Sequence, residues 1–153
     1  MARVAGISFR TDGENRACGV LIISGSVEFE DCAFSSNVSS GLQVFGGDSS
    51  PTVRRCIVQD CGEVGILVSG GAKLVIEYCE IVGNSLDGVF ARDLGAAATF
   101  RRCAVRKSRT SGYRIDNQAR ALLAGCEVTE NAHAGVVILD GGEALGAVPR
   151  RVV

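Results

Sequence analysis

Five cysteines recur along this chain at almost constant spacing. Cys32, Cys56, Cys79, Cys103 and Cys126 are separated by 24, 23, 24 and 23 residues. A glycine follows each of them nine residues later, at Gly41, Gly65, Gly88, Gly112 and Gly135. A period in the low twenties with fixed internal landmarks marks a solenoid. Each repeat is one supersecondary unit too small to bury its own apolar side chains, so it stacks on the next.

Aligning the repeats on the cysteine shows what each unit is. Phe29, Val53, Ile76, Phe100 and Leu123 stand three residues before it, and Phe34, Val58, Ile81, Val105 and Val128 two after it. Leu42, Ile66, Val89, Tyr113 and Val136 directly follow the glycine. Val44, Val68, Ala91, Ile115 and Ile138 stand two positions further on. Apolar residues at every second position over short stretches predict strands, three per repeat. Glycine and polar clusters such as Gly46-Gly47-Asp48-Ser49-Ser50 and Gly70-Gly71 divide them. No window sustains helical periodicity, and β-branched residues dominate. The expected fold is therefore all-β: a right-handed parallel β-helix solenoid of about six coils with three short strands per coil. It forms one domain over residues 1–153. A partial first coil contains Ile7 and Phe9 in the cysteine strand and Val20 and Ile22 in the glycine strand. Stacked at the inter-strand spacing, six coils span roughly 30 Å.

Further columns follow from the same alignment. Asn37, Cys61, Asn84, Ser108 and Asn131 come five residues after the cysteine. A buried turn asparagine there is expected to bond its own coil and the amide of the next coil up. The recurring glycine is expected at a positive-φ or crowded turn position. Glu30, Arg54, Glu77 and Arg101, two before the cysteine, alternate in sign from coil to coil. Stacked neighbours then attract, and a slip of one coil would bring like charges together.

Composition narrows the function classes. An apolar fraction of 46% with 22% charged residues suits a folded domain. A formal charge of −1 gives no reason to expect nucleic acid or an anionic membrane as partner. The longest apolar runs, such as Val20 to Ile23, are too short to span a bilayer. The first residues, Met1 to Gly6, lack the apolar segment of a signal peptide, so a cytoplasmic setting is expected. The seven cysteines are odd in number and five share one repeat position. They read as reduced, buried, small side chains rather than disulfides, and no C-x-x-C spacing suggests zinc. No cofactor is expected.

The stretch Val27 to Val44 has the form V-x-F-x-x-C-x-F-x-x-N-x-x-x-G-L-x-V. It resembles the right-handed parallel β-helix repeats of the pectate-lyase-like fold. It is also similar to the carbohydrate-binding and sugar hydrolase repeats of F-box substrate-adaptor proteins. That resemblance, from about Ile7 to Leu139, implies the fold and leaves function open among lyases, epimerases, hydrolases and non-catalytic adaptors. In the family's polysaccharide lyases, one outward strand stacks carboxylates for calcium beside a lysine or arginine base. The matching strand here is the one after the glycine. Its outward positions are Leu21, Gln43, Leu67, Phe90, Arg114 and Val137, then Ile23, Phe45, Ser69, Arg92, Asp116 and Leu139. Only Arg92, Arg114 and Asp116 are charged, so no calcium site is expected. A carboxylate pair for glycoside hydrolysis would have to come from Asp93, Asp116 and Asp140, which also read as turn residues bonding backbone amides. His133, the only histidine, reads as an exposed turn residue.

An outward strand should alternate with polar residues, yet Leu21, Ile23, Phe45, Leu67, Phe90, Val137 and Leu139 break that rule. A contiguous apolar stripe marks a contact face, here flanked by Arg92 and Arg114. The functional expectation is a non-catalytic binding or assembly module with a protein partner or a second copy. The alternative is a carbohydrate-active enzyme or polysaccharide-binding domain. The last residues, Ala147 to Val153, read like the opening of another coil, as in a piece of a longer solenoid.

Overall fold

The computed structural model describes residues 2–146 and the backbone of residues 151–152. Among these there are twenty short strands and no helix. The first coil comprises β1 (Ala2–Ala5), β2 (Ser8–Thr11) and β3 (Val20–Ile22), and the second β4 (Val27–Glu30), β5 (Ala33–Ser36) and β6 (Leu42–Phe45). The central coils are β7 (Thr52–Arg54), β8 (Ile57–Gln59) and β9 (Ile66–Ser69), then β10 (Lys73–Glu77), β11 (Glu80–Val82) and β12 (Val89–Arg92). Next come β13 (Ala97–Arg101), β14 (Ala104–Arg106) and β15 (Tyr113–Asp116), then β16 (Arg120–Ala124), β17 (Glu127–Thr129) and β18 (Val136–Ile138). β19 (Glu143–Leu145) and β20 (Arg151–Val152) begin a further coil. Every third strand pairs in parallel. The first sheet runs β1-β4-β7-β10-β13-β16-β19, the second β2-β5-β8-β11-β14-β17-β20 and the third β18-β15-β12-β9-β6-β3.

This is the expected solenoid, and its register follows the sequence columns. Phe29, Val53, Ile76, Phe100 and Leu123 stack in the first sheet. Phe34, Val58, Ile81, Val105 and Val128 stack in the second. The alternation between 24 and 23 residues is absorbed in the turn leaving the third sheet: Phe45 pairs with Ser69, while Thr52 pairs with Val75. The core fills with these columns, and Phe9, Phe29 and Phe34 form an aromatic cluster with ring centroids 5.3 to 6.0 Å apart. Coverage weakens at both ends. Ile7 in the first coil and Ile138, a core position by its column, are about half exposed. The expectation of a further coil is met by the backbone of β20, which joins the second sheet beside β17. Residues 147–150 and 153 lie outside the described residues.

The bend between the first and second sheets has an unusual backbone. The residue before each cysteine lies in the left-handed region: Asp31 (54°), Arg55 (46°), Tyr78 (55°), Arg102 (51°) and Gly125 (62°), with Gly6 (67°) in the first coil. The cysteine then serves this bend. Cys56 Sγ donates to the Arg54 carbonyl at 3.1 Å and Cys79 Sγ to the Glu77 carbonyl at 3.2 Å. Across coils, the Cys32 and Cys56 amides donate to the Sγ of Cys56 and Cys79, at 3.3 and 3.4 Å. The cysteine is therefore more than a small apolar filler: its sulfur is a weak donor and acceptor where the chain turns. Hydrogen bonding to neighbouring thiols, then burial, raises the Cys56 and Cys103 thiols, and the same bonds lower Cys79 and Cys126. Burial, with the nearby Asp60 carboxylate, pushes Cys61 up to about 11 against backbone hydrogen bonds that lower it.

The glycine column is crowded rather than left-handed. A Cβ on Gly88 would sit 2.5 Å from Val105 Cγ1 and 2.9 Å from the Gly112 carbonyl; on Gly65, 2.6 Å from both Asn84 Nδ2 and the Gly88 carbonyl. The backbones of successive coils approach here, as Gly65 N→Asp87 O (3.1 Å) and Gly88 N→Ser111 O (3.0 Å) record. The asparagine column runs opposite to the expected direction, because each side chain reaches back to the preceding coil. Asn84 Oδ1 accepts from the Cys61 amide and Asn131 Oδ1 from the Ser108 amide, both at 3.0 Å. Asn84 and Asn131 thus serve the positions where the column is interrupted, while Asn37 accepts from the Gly13 amide of the first coil (3.2 Å). On the first sheet, Arg54 bridges Glu28 (3.2 Å) and Glu77 (2.9 Å), while Arg55 meets Asp31 (3.2 Å) and Glu30. These exposed pairs chiefly set register.

Gly88→Ala is expected to lower stability by about 1–3 kcal/mol through overpacking, read from the denaturation midpoint; an unchanged midpoint would mean the coils are further apart than described. Cys79 is buried in the central coils, so Cys79→Asp is expected to abolish folding by placing a carboxylate in the core. Thiol labelling of native Cys79 should be slow; labelling at the rate of an unfolded chain would contradict its burial.

Candidate functional site

The residues expected to form a contact face lie on the third sheet. Its central outward column is Leu21, Gln43, Leu67, Phe90, Arg114 and Val137, in direct register across all six strands. Beside it Phe45 pairs with Ser69, and Arg92 with Asp116. Alternation along each strand forces this: Leu42 and Val44 point inward and are fully buried, so Gln43 and Phe45 point out.

The nine expected site residues divide into two groups. Leu21, Ile23 and Phe45 are more than half exposed, at 56, 64 and 54%, and form an apolar patch on the first two coils. The Phe45 ring lies over the next coil's Gly70, where a Cβ would sit 2.8 Å from Cε2. Further along, Leu67, Phe90, Arg114 and Val137 are half-buried, while Arg92 and Leu139 are exposed. Ser69 is buried between Phe45 and Arg92. The stripe is thus apolar and open at the first coils, and recessed and mixed in character at the later ones.

Two guanidinium groups flank the Phe90 ring. Arg114 lies 4.6 Å and Arg92 5.7 Å from its centroid. Arg114 also donates to Asp116 at 3.1 Å, and Arg92 lies 3.6 Å from Asp93. Cation–π contacts at partly exposed sites contribute about 0.5–1 kcal/mol; they hold Phe90 half-covered by its neighbours. Of the three carboxylates weighed for glycoside hydrolysis, Asp140 is exposed and the other two have structural partners. Asp93 accepts from the Gly70 amide (3.3 Å) and from Asn117 (3.1 Å), and Asp116 is held by Arg114.

Between Phe90, Arg114, Val137 and the preceding turns lies a depression of about 400 Å³. Asp87 and His133 also line it. Asp87 is buried and accepts from Thr110 Oγ1 (2.7 Å) and the Ser111 amide (3.0 Å), tying the turns of two coils together. His133 is an exposed turn residue, as expected, and sits at the rim. Asp87 was not singled out by sequence because its column reads Ser40, Val64, Asp87, Ser111 and Ala134, with no common chemistry. Its one signal is its place beside the repeated glycine. Among the described residues, no cluster of three or more histidine, cysteine or carboxylate side chains is placed to hold a metal ion.

The family profile described as right handed beta helix region matches residues 9–147. No solved structure matches the chain.

Asp87→Ala is expected to lower stability by about 1–3 kcal/mol, because it strands the Ser111 amide. Leu86→Ala, in the same turn but exposed, should change stability by less than about 0.5 kcal/mol. Equal midpoints for the two variants would contradict the bridging role of Asp87.

Proposed function

We propose that this protein, which belongs to the right-handed β-helix family, is a rigid non-catalytic binding or assembly module that meets a protein partner or a second copy of itself through the outward face of its third sheet. The exposed cluster of Leu21, Ile23 and Phe45 carries this reading. Three large apolar side chains on adjacent strands form a contiguous patch that nothing in the fold requires. The strands beneath are fixed by pairing on both sides, except at β3, so the face is preorganised and binding loses little conformational entropy. The exposed Arg92 supplies a polar rim.

A second reading, a polysaccharide-binding or carbohydrate-active domain, draws on the depression beside Phe90. It combines an aromatic ring, the Arg114 guanidinium and the buried Asp87 carboxylate. Against catalysis, the one carboxylate lining the depression is Asp87, already engaged by Thr110 and the Ser111 amide, whereas glycoside hydrolysis uses a pair.

The double variant Leu21→Asp with Phe45→Asp distinguishes the two. It should remain folded, because both side chains point to solvent, and should lose self-association or partner capture. Truncated anchors in a desolvated contact typically cost about 2 kcal/mol or more. Sedimentation velocity and affinity capture, with circular dichroism as the folding control, provide the measurement. A variant that keeps its oligomeric state and all its partners would remove the patch as the working surface and favour the carbohydrate reading.

A further inference from the structure

We propose that the third-sheet face receives a second copy of this chain, packed face to face with the two solenoid axes antiparallel; this rests on the reading of that face as a contact surface. The order of its central outward column carries the proposal. From the first coil to the last complete one it runs Leu21, Gln43, Leu67, Phe90, Arg114 and Val137, in unbroken register. Its polarity is apolar, polar, apolar, apolar, polar, apolar, the same read from either end. A two-fold axis along the strand direction, between β9 and β12, turns one copy onto the other. Each coil then faces the coil at the same count from the far end. Leu21 meets Val137, Leu67 meets Phe90 and Gln43 meets Arg114, and each pair occurs twice, as an isologous contact requires.

The second outward column fits the same operation. Ile23 meets Leu139 at the two ends. The Phe45 ring leans over Gly70 toward the third coil. It therefore faces the fourth coil of the second copy, where the exposed Arg92 guanidinium can lie against an aromatic face. Asp116 takes one Nη2 donor of Arg114, and the Gln43 amide oxygen is an acceptor for the donors that remain.

Shape selects the antiparallel arrangement over the parallel one. The face stands open at Leu21, Ile23 and Phe45 and is hollowed beside Phe90, Arg114 and Val137 by the depression of about 400 Å³. Antiparallel packing sets the open end of each copy into the hollow end of the other. Parallel axes would set open end against open end and leave two hollows facing each other, without packing. They would also gather Arg92 and Arg114 of both copies at one level. Size sets the strength. Six strands at roughly 4.8 Å, each about four residues long, make a face of roughly 29 by 13 Å. With its rims, two copies bury on the order of 1,000 Å², the lower limit for a specific interface. Association in the micromolar range is therefore expected.

Sedimentation equilibrium of the full chain tests the pairing. Gln43→Glu should tighten the dimer about fivefold and Gln43→Lys weaken it about as much, since the facing pair occurs twice. In an Arg114→Gln background the two should no longer differ. Within one chain Gln43 and Arg114 stand three coils, roughly 14 Å, apart, beyond the screening length of about 8 Å at physiological salt. Coupling between them therefore arises across copies. Cross-linking tests the orientation. Cys18, the one cysteine that is not buried, is first replaced by serine. A Leu21→Cys chain and a ¹⁵N-labelled Val137→Cys chain should then be joined by a bismaleimide that reaches the roughly 10 Å between facing sheets, and neither should be joined to its own kind. A chain still monomeric at about 1 mM, cross-links of like with like, or Gln43 effects that persist with Arg114→Gln would each overturn the antiparallel dimer. The contact face fails separately. A monomer that captures another protein, and loses it in Leu21→Asp with Phe45→Asp, overturns the dimer and keeps the face; a dimer that survives that double variant overturns both.

Discussion

The main-chain hydrogen bond between coils is the interaction on which everything else depends. The Gly41, Gly65, Gly88 and Gly112 amides each donate to a carbonyl of the next coil at 3.0 to 3.1 Å. The same coupling runs down all three sheets. Because every coil is held by its neighbours, any side chain is set directly above the same position of the last one. Columns are therefore the natural unit of description. A column either stacks favourably, as the phenylalanines and the alternating charges do, or must be small, as the glycines are. The cysteines and asparagines belong to the same logic. They sit at the bends, where they accept from amides such as those of Cys32, Cys56 and Cys61, and the cysteine thiols share carbonyls already bonded between coils.

That rigidity separates structural from functional surface. The first sheet's outward face is occupied by paired charges and serves register. On the third sheet's face, by contrast, Leu21, Ile23 and Phe45 stand exposed and unpaired with any charge, which is why the proposed contact lies there.

Much of this was legible in the sequence because each position is written five times. The inward columns, the strand count per coil and the register follow from that redundancy, and one aberrant residue, such as Cys61 in the asparagine column, does not obscure them. What was not legible lacked repetition of residue type. The left-handed bend is filled by aspartate, arginine, tyrosine and arginine, which share no propensity, and only Gly6 and Gly125 hint at its backbone. The glycine column was legible as a constraint, but its cause, crowding against Val105 and the Gly112 carbonyl, needed the stacked coils. The outward face was readable from alternation. Its division into an open patch and a recess was not, because Phe90 is flanked by Arg92 of its own strand and Arg114 of the next. The recess also draws Val64, Asp87 and Ser111 from turns whose columns vary in chemistry.

Native-state hydrogen exchange of individual amides tests the stacked ladder most directly. In-register coils coupled only to their neighbours should show the slowest exchange in the middle, at Gly65, Gly88 and the strands β9 and β12, with a shared opening free energy. Protection should fall toward β1 to β3 at one end and toward β18 and β19 at the other. Rapid exchange at Gly65 and Gly88 while the terminal strands remain protected would contradict a continuous ladder, and with it the columns on which the proposed contact face is built.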